Sequence, residues 1–222
     1  MNDARVLRWC AGAGVLTAVA LAVAVLVPGF PPAPDSSAAT VSAWVIGHRA
    51  ALQTAAMVTP FTLFFGVFFL AGLFSLLRAG RRNSEILPMS VMLAGLTTLL
   101  LPMTGAIAEG AIAYRAGSPG SVALNRFAFD ILSIAGVLAF IPAAGMTGAA
   151  SLQGRTTGAF PTWLVWLGWV YVPIGLLGSI SAVSDNRGWF MVSGAALFLL
   201  GVWILGACLA MWRTGTTHRR AG

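Results

Sequence analysis

The chain has 222 residues, 58% of them hydrophobic and only 9% charged, with a formal net charge of +7. A soluble domain carries about 25% charged residues, so this chain lacks the polar groups to cover a water-facing surface. All thirteen basic residues are arginine and lie at the ends of apolar runs, a pattern of topology signals rather than of a phosphate-binding patch, so no nucleic-acid partner is expected.

Residues 1–8 are polar and include Arg5 and Arg8, and Trp9 to Val27 then runs without a charge. The apolar part of a signal peptide is about 7–15 residues, whereas about 20 are needed to cross the bilayer. Residues 9–27 are therefore read as a first span, with a signal peptide cleaved near Ala38 and Ala39 as the alternative. Pro28, Pro31, Pro32 and Pro34 make 28–43 a Pro-rich extracytoplasmic linker. Ser42 is expected as the N-cap of the next helix and Trp44 as a headgroup-belt residue.

The second span, 50–77, has two faces. Met57, Phe61, Phe64, Phe65, Phe68 and Phe69 share one face, and Ala55, Thr59, Thr62 and Gly66 the other. Small residues let helices approach closely in lipid, so the small face is expected to pack inward. The Phe face is left for lipid, ligand or protein. Arg78, Arg81 and Arg82 follow.

The third span, 86–108, leads to Glu109, which lies roughly 35 Å from Ile86 along a helix at about 1.5 Å per residue. That distance puts it at the outer interface. Residues 113–126 read as a polar loop containing Arg115 and Arg126. Asp130 then falls in the first turn of the fourth span, 127–150, at the positive end of the helix dipole. Ala135, Ala139, Ala143, Thr147 and Ser151 form a stripe of small residues, a helix–helix contact surface with a kink at Pro142.

Arg155 marks the next cytoplasmic turn, and Pro161 opens the fifth span, 162–183. Trp163 and Trp166 suit the interfacial belt, and Gly168, Gly175, Ser179 and Ala182 form another packing stripe. A turn with Asp185 and Arg187 leads to the sixth span, 189–212, and to a tail with His218, Arg219 and Arg220. With both termini inside, nine arginines are cytoplasmic and four are outside, as the positive-inside rule requires. The fold class expected is all-α: a polytopic membrane protein of six transmembrane helices in three hairpins, forming a single domain in a bacterial cytoplasmic membrane.

The chemistry is sparse. Without lysine, Schiff-base, pyridoxal phosphate and P-loop mechanisms are excluded. His48 and His218 fall on opposite sides of the membrane, so neither a haem nor a His-rich zinc site is expected, and no other metal or cofactor is. Cys10 and Cys208 read as ordinary buried residues, and no HExxH, GxSxG or other catalytic set is present. One polar cluster is assembled at the outer face: His48, Arg49, Glu109, Arg126 and Asp130. It reads either as an ion, proton or headgroup site, or as interfacial ion pairs such as Glu109 with Arg126 and Asp130 with Arg49. Seven hydroxyls near mid-membrane, on Thr59, Thr62, Thr97, Thr98, Ser133, Ser179 and Ser181, are the only polar groups available to a transported solute. Prolines 60, 102, 142 and 173 could mark broken helices around a transport cavity.

The stretch Gly158-Ala-Phe-Pro-Thr-Trp-Leu-Val-Trp-Leu-Gly168 resembles a group of six-helix bacterial membrane proteins, many of them actinobacterial. These enter their fifth helix with Leu-Pro-x-Trp-Leu-x-x-x-Gly. The resemblance implies the six-span topology and no activity. The expected function is a non-catalytic subunit or scaffold of a larger membrane complex, with other integral membrane proteins and lipids as partners. The alternative is a stand-alone transporter or flippase of an apolar or lipidic substrate.

Overall fold

The computed structural model describes residues 3–33, 35–79, 85–118, 120–182, 184 and 187–217. Pro34, Arg81, Arg82, Asp185, His218, Arg219 and Arg220 lie outside the described residues, as does the side chain of Arg187. Among the described residues the α-helices are α1 (Asp3–Leu26), α2 (Ala38–Gly47), α3 (Arg49–Arg78), α4 (Ile86–Arg115), α5 (Ser121–Leu138), α6 (Phe140–Thr157), α7 (Thr162–Gly178) and α8 (Arg187–Thr217). A 3-10 turn, Ser179–Ala182, extends α7. Among the described residues six segments are long and apolar enough to cross a membrane, with α5 and α6 counted as one. The protein is a multi-pass, all-helical membrane protein.

Each span packs on the next in sequence, and α1 packs on α8, so the spans close into a ring. The centre of the ring is filled. Leu70, Leu73 and Leu77 of α3, Tyr171 of α7, and Trp203 and Met211 of α8 are essentially inaccessible. Side chains cross the ring as well: Gln153 of α6 donates to the Leu77 carbonyl of α3 at 3.2 Å. This bond ties the end of α3 to α6 and satisfies a buried amide that would otherwise be costly.

The two-faced reading of the second span holds for most of its residues. Ala55, Thr59, Thr62 and Gly66 are buried, while Met57, Phe61, Phe64 and Phe68 are exposed and Phe65 is half-buried. Phe69 departs from the pattern and is buried. It follows Thr62 by seven residues, about two helical turns, so it stands above Thr62 on the inward face. There its ring lies against Gly14 of α1, where an added Cβ would come within 2.5 Å of it.

Three other expectations are corrected. The linker does not stay extended to residue 43, because α2 forms from Ala38 and its cap is Ser37, whose Oγ accepts from the Thr40 amide at 3.2 Å. Ser42 is a buried residue inside that helix. The polar loop is also shorter, since α4 continues to Arg115 and α5 begins at Ser121. Finally, the fourth span is two helices. Residues Ser121–Thr157 number 37, about 55 Å of helix against about 30 Å of hydrocarbon. The break falls at Ala139, three residues before Pro142, whose missing N–H and ring disfavour a bond to the Leu138 carbonyl. By contrast, Pro60, Pro102 and Pro173 lie inside continuous helices.

Candidate functional site

Two of the polar residues expected at the outer face, Arg126 and Asp130, pair on α5, against which α2 lies; α2 also touches α3 and α4. An apolar plug seats α2: Val41 and Val45 pack with Leu52, Ile112, Ala128 and Phe129. Two hydrogen bonds then fix its register. Asn125 donates from Nδ2 to Ser42 Oγ at 3.1 Å, and Arg126 donates from Nη1 to the Ser36 carbonyl at 2.6 Å. Arg126 also pairs with Asp130 at 3.0 Å, one turn along α5. The guanidinium thus joins the segment before α2 to a carboxylate on α5.

This arrangement replaces both expected ion pairs. Arg126 takes Asp130 rather than Glu109, because the two sit four residues apart on one helix face. Arg49 is exposed in the first turn of α3 and forms no ion pair among the described residues. Asp130 lies in the third turn of α5, not the first, and the dipole effect is confined to the first turn. Its stabilising partner is therefore Arg126. With side chains 28% and 43% exposed, the pair is screened by solvent and is worth at most about 1 kcal/mol.

Glu109 is the outlier. It is 5% exposed and makes no hydrogen bond or ion pair among the described residues. On α4 it stands one turn beyond Gly105, which abuts the main chain of Leu132 on α5. It also stands one turn before Ile112, part of the plug under α2. Helical spacing therefore puts Glu109 on the α5-facing side of α4. A buried ionisable group on a membrane-spanning helix, without a partner among the described residues, is a functional candidate. Two more polar atoms border the same plug without a partner among the described residues: Trp44 Nε1 and Asn125 Oδ1, the latter on a residue that is 0% exposed.

His48 stacks on Trp44 at 5.0 Å and bonds the Trp44 carbonyl at 2.9 Å through Nδ1. It closes the end of α2 rather than facing the carboxylates. Trp44 is half-buried, edge-on to Phe129 at 6.0 Å, so it is a packing residue as much as a belt residue. Arg115 is exposed at the end of α4.

A second set of buried polar groups escaped the sequence reading. The small stripe Ala135, Ala139, Ala143, Thr147 and Ser151 is buried throughout, as a packing surface should be. At its far end Ser151 Oγ and Trp203 Nε1 converge on Gly168 of α7, and neither has a partner among the described residues. Gly168 and Gly175 are buried, while Ser179 and Ala182 are only half-buried. Gly178 continues the stripe in their place.

The seven mid-membrane hydroxyls are all occupied. Thr59, Thr62, Thr97, Thr98, Ser133, Ser179 and Ser181 each donate to a carbonyl three or four residues earlier. Among the described residues no three His, Cys, Asp or Glu side chains gather in metal-binding geometry. Cys10 and Cys208 are buried free thiols. Comparison with family models, with curated proteins and with solved structures gives no match to this chain.

Proposed function

We propose that this protein is a non-catalytic integral subunit or scaffold of a larger complex in a bacterial cytoplasmic membrane. Its helices would form three hairpins, with both termini cytoplasmic. One observation carries this reading: the ring of spans has a filled centre, and the seven hydroxyls expected near mid-membrane each donate to a carbonyl three or four residues earlier. Alternating access would require packed seams to part around a polar site near the bilayer midplane. Three of the four span prolines sit in unbroken helices, which favours a rigid body over a gated one. Work done by such a body falls to its outer surface, and so to partners. Native purification into nanodiscs, with mass spectrometry of everything retained, tests the reading. A stoichiometric set of other membrane proteins is expected, and a lone chain would refute it.

A second reading has its own support. Glu109 is buried and has no partner among the described residues, as a proton- or ion-coupling carboxylate would be in a stand-alone transporter or flippase. Under it, Glu109→Gln abolishes flux in reconstituted vesicles while the fold survives. Under the subunit reading, the same variant assembles normally.

A further inference from the structure

A groove of about 270 Å³ opens where the turn between α6 and α7 meets the end of α8. Phe160, Trp163, Leu209 and Ala210 form its apolar walls, and Arg213 and Thr214 lie at the end toward the C-terminus. The walls are held in place. Phe160 is buried, edge-on to Trp203 at 6.1 Å, and its amide bonds the Gly154 carbonyl at 3.3 Å. Trp163 lies across Gly206, where a Cβ would come within 2.6 Å of the indole. The groove is thus built into the packing of three helices.

Its two ends differ in chemistry. Trp163 and Leu209 are 47% and 44% exposed, so the apolar end opens sideways onto the surface that α7 and α8 present to hydrocarbon. The other end closes on a guanidinium in the last turns of α8. An apolar slot continuous with the lipid-facing surface and topped by a cation complements a phospholipid: an acyl chain below and a phosphate above. In the orientation expected from the arginine distribution, this end faces the cytoplasmic leaflet. Its surface potential is negative, and each nearby cation strengthens the hold on anionic lipid.

We infer that this groove binds one anionic phospholipid, with the acyl chain along Trp163 and Leu209 and the phosphate against Arg213. The inference rests on the membrane-spanning fold and not on the subunit reading. The test uses the full chain in neutral detergent, titrated with phosphatidylglycerol, phosphatidylcholine or inorganic phosphate and read by native mass spectrometry. One phosphatidylglycerol should be retained in preference to phosphatidylcholine. Arg213→Gln should cut that preference by about fivefold, the effect expected of one cation, and Arg213→Lys should restore part of it. Leu209→Trp, which fills the slot without changing charge, should lower retention of both lipids. Equal retention of the two lipids, or an unchanged preference in Arg213→Gln, would overturn the proposal. Displacement of the lipid by millimolar inorganic phosphate would reduce the site to a simple anion contact and would also overturn it.

Discussion

Gly168 is the tightest point of the bundle. An added Cβ there would overlap Ser151 Oγ and approach Trp203 Nε1 to 2.9 Å and the Thr147 carbonyl to 3.1 Å. Main chain and a large indole cannot both yield, so Gly168→Ala should destabilise the protein by about 1–3 kcal/mol. Unfolding in detergent would read this as a lowered midpoint, and an unchanged midpoint would mean the seam is loose. At the other end of the molecule, Asn125 holds α2 through Ser42. Asn125→Ala should cost about 1 kcal/mol, concentrated in α2. Hydrogen exchange should show α2 amides losing protection while α3 and α4 keep theirs. Uniform loss would mean that α2 is held by the apolar plug alone. Arg126 adds a second tether to the segment before α2, so the double variant should lose more of the α2 protection than Asn125→Ala alone.

Among the elements, α6 is packed on both sides. It meets α4 on one side and α7 on the other, and Ala143 and Thr147 on it are completely buried. Ala143→Leu inserts three carbons into a seam with no room for them. We expect a loss of about 1–3 kcal/mol and a weaker association of α6 with its neighbours, measurable as faster proteolysis of the α6–α7 turn. Intact stability would show that the stripe is not a tight contact. This stripe was legible in the chain because small residues recur every four positions from Ala135 to Ser151. The inward face of α3 was legible for the same reason. The α2 helix was not, because four prolines just before it hide a ten-residue apolar helix with its own Ser37 cap. The start of α5 was misplaced because Ser121, Asn125 and Arg126 are polar. Ser121 and Asn125 are nevertheless buried against other helices, and no local pattern announces a tertiary hydrogen bond to Ser42. The pairing of Arg126 with Asp130 follows from helical spacing once α5 is known to begin at Ser121. Before that, spacing could not decide between Glu109 and Asp130.

At the scale of the whole molecule, the ring leaves few places for chemistry. Among the described residues, buried polar atoms without partners include Trp44 Nε1 and Asn125 Oδ1 beside the plug that seats α2, Ser151 Oγ and Trp203 Nε1 around Gly168, and the Tyr171 hydroxyl on α7. The ring's centre is filled by side chains from α3, α7 and α8, most of them apolar. That filled centre is the claim from which the proposed role follows, and it can be probed directly. Cys10 and Cys208 would be replaced by alanine, and single cysteines placed at Leu70, Leu73 and Leu77 on the inner face of α3. The protein in native membranes would then be treated with a small, charged, membrane-impermeant thiol reagent. No labelling at any of the three positions, beside full labelling of a control cysteine at Arg115, is the result expected of a packed body. Labelling at Leu70 and Leu73, protected by an added lipidic solute, would reveal a water-filled path through the ring and contradict it.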